Sequence, residues 1–289
     1  KSARLKSVSQ FFTAAVSPEA VPVAVCFRGM CRNSSCVEGA YQYASDMRKR
    51  ILVTGGAGFI GSHLCERLLA DGNEVIALDN YYSGDKRNVE HLMANPLFRL
   101  VRHDVTFPYF EEVDQIYNLA CPSAPADYMH DPVMTLKTSL IGAVNMLEVA
   151  RRMGARILQA SSGKVYGKAQ VPSIPEQYRG NVSPVGERSA YEEGKRAAES
   201  IFTAYHHQYG VDIRIPRLFN VYGPRMPLGN GRVISAFIKS ALSGESISIR
   251  GNGMQTRCFL YIDDAVEALV RMMNSTGKLS EPVNIGGVD

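Results

Sequence analysis

RILVTGGAGFIGSHLCERLLADGNEVIALD, residues 50–79, decides the fold. Ile51, Leu52 and Val53 form a short apolar run suited to a buried parallel strand. Gly55, Gly58 and Gly61 follow at the spacing of a dinucleotide-binding turn. Gly55 takes the tight turn, Gly58 lets backbone approach a pyrophosphate, and Gly61 lets the next helix lie close to the sheet. That helix opens with Phe59 and Ile60, and its N-terminus offers free N–H groups and partial positive charge to a diphosphate. Ile60, Leu64, Leu68 and Leu69 recur at helical spacing, and Asp71-Gly72 stops the helix. Glu74 to Asp79 reads as a second strand ending on a carboxylate. Asp79 lies eighteen residues beyond Gly61, where an acid binds the adenosine ribose diol, with Asn80 beside it. A carboxylate there repels a 2′-phosphate, so the expected cofactor is NAD rather than NADP. Glycines that serve packing alone are the bland alternative, and the strand–turn–helix–strand context argues against it.

Working outward, the chain has 289 residues, 45% hydrophobic and 21% charged, enough for one large or two smaller cores. A net charge of +4 without a long basic run gives no reason to expect nucleic acid as a partner. Residues 1–46 carry scattered Pro and Gly without sustained periodicity and are read as a disordered or non-native extension. The apolar run from Val21 to Phe27 is too short to span a bilayer, so no membrane partner is expected. Cys65, Cys121 and Cys258 read as small buried hydrophobes. Cys26, Cys31 and Cys36 lack the paired spacing of a zinc site. No metal is expected, and the compartment is read as reducing and cytoplasmic.

Beyond the opening unit, a third strand is predicted from Phe98 to Asp104. Asp104 and Val105 are candidates to meet the adenine, although a strand-end turn residue is an equally simple role for Asp104. A fourth strand from Gln115 to Ala120 brings Leu119 and Ala120 close to the cofactor. Asp131-Pro132 starts a helix that Val133, Leu136, Leu140, Ile141, Val144, Leu147 and Val149 carry to Arg152, before Gly154. A strand follows from Arg156 to Ser161. Strands alternating with helices argue for an α/β fold with a parallel, doubly wound sheet.

That last strand ends in Ser161-Ser162-Gly163-Lys164-Val165-Tyr166-Gly167, and Tyr191-Glu-Glu-Gly-Lys195 follows on a predicted helix. Tyr191 and Lys195, four apart, face the same way. An ammonium beside a phenol is expected to lower its pKa toward neutrality, so that the phenolate takes a proton from a hydroxyl. A serine at that strand end can hold the hydroxyl. A Tyr-x-x-x-Lys pair alone is usually structural; beside a dinucleotide turn and Ser-Ser it signals a dehydrogenase site. The remaining groups read as structural. His206-His207 is read as solvated, Asp263-Asp264 as a helix N-cap, and Met226, Met272 and Met273 as packing residues.

From Met47 to Asp289 the chain resembles the extended short-chain dehydrogenase/reductase superfamily, and within it most of all the UDP-glucuronate decarboxylase (UDP-xylose synthase) family. The resemblance rests on Leu119-Ala-Cys-Pro-Ser-Ala-Pro125, Gly180-Asn-Val-Ser-Pro-Val-Gly-Glu-Arg188, Tyr191-Glu-Glu-Gly-Lys-Arg196, Leu218-Phe-Asn-Val-Tyr-Gly-Pro-Arg-Met226, Gly231-Arg-Val233 and Gln255-Thr-Arg257. It implies a Rossmann-type domain over 47–219 and 257–274, and a smaller C-terminal substrate-binding lobe over 220–256 and 275–289. It also implies a family chain that continues into further helix, and a homodimer through helices 131–153 and 186–209. The implied reaction oxidises a UDP-linked glucuronate at C4, releases CO₂ and re-reduces the ketone to UDP-xylose on one retained NAD. Tyr191, Lys195 and Ser162 carry it, Tyr128 lies near the sugar, and Asn220, Arg232 and Arg257 hold the UDP.

The chain departs from that family at two places. The family has Ser-Glu before Val-Tyr-Gly, and this chain has Gly163-Lys164. Arg250 stands where the family places an aromatic residue by the uracil. The charge reversal at 164 either disables decarboxylation or lets Lys164 pair with the substrate carboxylate. Related 4-epimerases have small or non-acidic residues after the serine. Three readings follow: a decarboxylase with an altered site, a 4-epimerase on a UDP-sugar or UDP-uronate, and a non-catalytic NAD-binding protein.

Overall fold

A computed structural model describes residues 48–171, 173–228, 231–249, 251–277 and 279–287. The extension over 1–46, with Cys26, Cys31 and Cys36, and Arg250 lie outside the described residues. The opening unit folds as the sequence predicts, with β1 (Arg50–Thr54), helix α1 (Phe59–Ala70) and β2 (Glu74–Asp79). β1 and β2 run parallel, with Arg50 opposite Glu74 and Thr54 opposite Leu78. Further along come β3 (Phe98–Arg102), β4 (Gln115–Asn118), α2 (Pro125–His130), α3 (Pro132–Met153), β5 (Arg156–Gln159) and β6 (Ser161–Ser162). The described chain ends through α4 (Ser189–Tyr209), β7 (Ile213–Leu218), β8 (Val221–Tyr222), α5 (Val233–Leu242), β9 (Leu260–Tyr261), α6 (Ile262–Asn274) and β10 (Pro282–Ile285).

The main sheet has the order β10-β7-β5-β4-β1-β2-β3, with β6 continuing beside β7, and all its described pairings are parallel. The chain winds outward from β1 to β3, then crosses to β4 on the other side of β1. The switch therefore falls between β1 and β4, where an open α/β sheet leaves a crevice at its carboxyl edge. Both faces are covered. Ile51, Val53, Val75 and Ala77 pack with Leu64 and Leu68 of α1 and Leu269 and Met273 of α6. Leu52, Ile76, Ile116 and Ile157 pack on the other face with Met146 and Leu147 of α3 and Phe202 of α4. This double cover is why β1 reads as an unbroken apolar run.

Asp131 caps α3, its Oδ1 accepting from the Met134 N–H at 2.9 Å, and Gly154 ends the helix in the left-handed region at φ +65°. By length and composition α3 is apolar enough to cross a membrane, but half of that stretch is buried within the fold. α6 begins at Ile262, and Asp263 and Asp264 sit in its first turn without a side-chain cap bond. Their charges favour the helix dipole from there, so the expected N-cap role is replaced by an electrostatic one.

The expected domain boundaries also change. Residues 282–285, assigned from the sequence to a separate lobe, form β10 at the edge of the main sheet, with Pro282 opposite Ile215 and Ile285 opposite Leu218. Asn284 ties this edge inward. Its Oδ1 accepts from the Tyr166 hydroxyl at 2.7 Å, its Nδ2 donates to the Ile174 carbonyl at 2.9 Å, and its backbone N–H donates to Glu176 at 3.0 Å. The described residues form one compact unit.

Candidate active site

One cavity of about 640 Å³ opens along the carboxyl edge of the sheet. At one end lies the glycine turn. Gly55 holds φ +68°, and a Cβ there would come within 3.1 Å of the Ala120 backbone, so the loops after β1 and β4 approach each other closely. The Gly58 N–H donates to the Gly55 carbonyl at 3.0 Å. The Thr54 hydroxyl oxygen accepts from the Leu119 and Ala120 N–H groups, each at 3.1 Å, and the hydroxyl donates to Asn118 at 2.7 Å. These bonds end β4 at Asn118, earlier than predicted, and leave Leu119 and Ala120 on the cavity wall.

Asp79 is buried at this end, and both carboxylate oxygens accept backbone N–H bonds, from Ala57 at 3.0 Å and Tyr81 at 2.8 Å. Burial pushes its carboxyl up, against the pull of those two donors. Gly55, Gly58, Phe59, Ile60, Gly61, Asn80, Val105, Leu119 and Ala120 line the same cavity. Asp104 is not among its lining residues. Its carboxylate accepts from the Thr106 N–H at 2.9 Å, the Thr106 hydroxyl at 2.8 Å and the Asn80 amide at 3.0 Å. The strand-end turn role is the one it fills here, and it orients Asn80 from behind.

At the other end Ser162, Tyr191 and Lys195 converge. β6 carries Ser162 forward from β5, and α4 presents Tyr191 and Lys195. Gly194 between them lets α4 pack tightly on α3, since a Cβ there would come within 3.0 Å of the Ser139 side chain. Lys195 is buried, and its Nζ donates to the Ala160 carbonyl at 2.7 Å while lying 5.9 Å from the Tyr191 ring centroid. Tyr128 from α2 stacks on Tyr191, with centroids 5.0 Å apart and planes within 14°. The Tyr191 phenol is pushed up to about 12, chiefly by burial and then by Cys121; the Ser162 hydrogen bond and the Arg232 charge pull it down. The sequence expectation of a phenol brought toward neutrality by Lys195 does not hold in this state. Burial is the larger effect, and the ammonium is engaged by a backbone carbonyl.

Behind Ser162 lies a buried polar network. Arg217 makes two bonds to Glu199, at 2.9 and 2.6 Å, and a third to the Tyr166 hydroxyl at 2.7 Å. Ser161 donates to the same Glu199 carboxylate. The network holds β6 in place, so that the chain turns Ser162 toward the cavity. A helix residue, a strand residue and a loop hydroxyl meet only in the folded chain, and no sequence spacing announces them.

Asn220, Arg232 and Arg257 also line the cavity, with Lys164 and Arg188. Arg232 donates to the Ser123 hydroxyl at 2.7 Å, and the Asn220 amide to the Cys258 carbonyl at 2.7 Å. Gly163 has a local cause: a Cβ there would lie 2.6 Å from the Phe219 ring. Several lining residues are absent from the sequence reading. Arg188 was legible only as part of a motif. Arg225 lines the wall from a left-handed backbone at φ +64° and binds Glu66 of α1. Met226, read as packing, lines the cavity as well. Their positions follow from the loop after β8, which local spacing does not describe.

Residues 51–286 match the model of the NAD dependent epimerase/dehydratase family. The chain is 54% identical over 238 residues to UDP-glucuronic acid decarboxylase 6 of Arabidopsis thaliana, covering 82% of this chain and 69% of that protein. It is 52% identical over 239 residues to UDP-glucuronic acid decarboxylase 1 of Xenopus tropicalis, covering 83% of this chain. The match spans only 56% of the Xenopus protein's length. Among solved structures it resembles UDP-glucuronic acid 4-epimerase from Bacillus cereus in complex with UDP-glucuronic acid and NAD. That match has a TM-score of 0.73 and 28% identity, over 83% of this chain and 78% of that one.

Proposed function

The chain belongs to the NAD dependent epimerase/dehydratase family, and from that membership we propose that it decarboxylates UDP-glucuronate to UDP-xylose on a retained NAD. The observation that carries this reading is the convergence of Ser162, Tyr191 and Lys195 on the cavity that also holds the glycine turn. The residues fit the cofactor. Gly55 and Gly58 have no side chain to stand between their backbone and a pyrophosphate. Each Asp79 oxygen keeps a lone pair after its backbone bond, which suits a ribose diol.

Held by the glycine turn and Asp79, NAD would supply a hydride acceptor for the sugar C4 and the donor for its return, with no net redox change. Tyr191 removes the proton of the C4 hydroxyl, and Ser162 holds that oxygen. Lys195, fixed on the Ala160 carbonyl, keeps positive charge beside Tyr191 and favours the phenolate that accepts this proton. Tyr128 holds the Tyr191 ring by stacking. With a ketone at C4, the C5 carboxylate is part of a β-keto acid. Tyr191 and Ser162 then hold the charge left on the C4 oxygen as the C5–carboxyl bond breaks and CO₂ departs. A proton added at C5 completes the exchange. Asn220, Arg232 and Arg257 hold the UDP portion, with guanidinium forks suited to a diphosphate.

One observation favours a second reading. Lys164, rather than an acid, stands beside Ser162, which suits epimerisation at C4 with the carboxylate kept. Incubating the protein with UDP-glucuronate and NAD⁺, followed by mass spectrometry and proton NMR, separates the two. Loss of CO₂ is the expected result; a product of unchanged mass with inverted C4 would establish the epimerase. The same proposal includes a homodimer through α3 and α4. α3 exposes Val133, Leu136, Leu140 and Ile141, an apolar row suited to a partner helix. Light scattering should give twice the chain mass, and a monomer at micromolar concentration would refute the pairing.

A further inference from the structure

Lys164 lines the cavity two residues beyond Ser162, and the reaction scheme leaves it without a task. Its backbone N–H donates to the Ser162 hydroxyl oxygen at 3.2 Å, so its side chain starts two residues from the group that holds the C4 hydroxyl. It lines the same cavity wall as Arg188 and Arg257. Among the described residues no carboxylate forms an ion pair with it. The charges around it are the Arg257 and Arg188 guanidiniums and one carboxylate, Glu192, which also faces Arg188. The side chain is exposed to solvent on the cavity wall. Loss of water, then the Arg257 and Arg188 charges, push the ammonium's pKa down, with Glu192 opposing. A cation held without a close anion, among other cations, is stabilised by any anion that enters.

A nucleotide sugar bound with its C4 hydroxyl on Ser162 and Tyr191 presents its C5 substituent next to that hydroxyl. We propose that Lys164 is a substrate-recognition residue, whose ammonium binds the C5 carboxylate of a nucleotide-linked uronic acid and selects it over the neutral hexose. This rests on the nucleotide-sugar reading above and names its substrate class. The contact also has a direction in catalysis. An ammonium on the carboxylate stabilises the bound substrate, and that stabilisation is lost as the charge moves toward the C4 oxygen. Lys164 therefore strengthens binding of the uronate and slows loss of CO₂ from the bound state.

The test compares wild type and Lys164→Met for binding of UDP-glucuronate, UDP-glucose and UDP by calorimetry, with NAD present. Wild type should bind UDP-glucuronate more tightly than UDP-glucose. The variant should lose roughly tenfold or more for the uronate while its affinity for UDP-glucose and UDP stays unchanged. Lys164→Arg, which keeps the charge, should retain the preference. Equal losses for all three ligands, or no loss for the uronate, would overturn the assignment of Lys164 alone. If wild type binds none of the three, the nucleotide-sugar reading falls, and this assignment with it.

Discussion

Tyr191→Phe is expected to reduce turnover of UDP-glucuronate by about 10²–10⁴-fold while NAD binding changes little. The phenyl ring keeps the stacking on Tyr128 and the packing of α4, and only the hydroxyl that Ser162 holds is lost. Unchanged turnover would sink the proposed chemistry. The same variant reads out the buried phenol through pH. In the folded chain the Tyr191 phenol sits at about 12, against about 10 in an unfolded chain. A raised folded value means that the folded state holds its proton more tightly. Stability is therefore full below the unfolded value and falls as pH climbs through the folded one, by up to about 3 kcal/mol for this group. Tyr191→Phe has no such proton to lose, so its denaturant midpoint should fall less than that of wild type between pH 10 and 12. Parallel losses in the two proteins would show that the hydroxyl is not buried as described.

Gly61→Ala carries the second large effect. A Cβ at position 61 would lie well inside contact distance of the Gly55 carbonyl oxygen, and 2.9 Å from both the Gly55 carbonyl carbon and the Gly56 Cα. Every one of these is backbone, so no side chain can swing aside. Either α1 moves off the sheet or the turn opens. The first disturbs the packing of Leu64 and Leu68 against β1 and costs about 1–3 kcal/mol of stability. The second displaces the Gly55 and Gly58 backbone that faces a pyrophosphate. The expected result is a lower thermal midpoint together with loss of most NAD affinity, measured by calorimetry on the folded fraction. Wild-type NAD affinity in the variant would mean that the turn is not where the cofactor binds.

Much of this was legible in residues 50–79 alone. A short apolar run, then three glycines at fixed spacing, then periodicity of 3.6 and a terminal acid are local signals. β1, α1 and β2 fall where those signals put them, because each depends on neighbours a few residues away. The same holds for α3, bounded by Asp131 and Gly154, and for the Tyr191–Lys195 pair on one helix face. Asp104 marks the limit. Its carboxylate suits either a ligand or a turn, and the choice depended on what the fold brought opposite it. For Asp104 that was Thr106 and Asn80.

What remained needed the folded chain, because it arises between segments far apart in sequence. β10 joins the main sheet through Asn284, which meets Tyr166 across 118 residues. Glu199 and Arg217 meet behind Ser161 only once α4 has packed against β6 and β7. The Tyr191 pKa is decided by burial, which counts everything around the phenol, and spacing to Lys195 says nothing about that. Lys164 gives the clearest division. Its charge and its place after Ser162 can be read from the sequence, whereas its lack of an ion pair among the described residues and its facing of Arg188 and Arg257 are properties of the cavity. Sequence settles what is local and periodic, and tertiary structure settles which charges are left facing one another across a cavity.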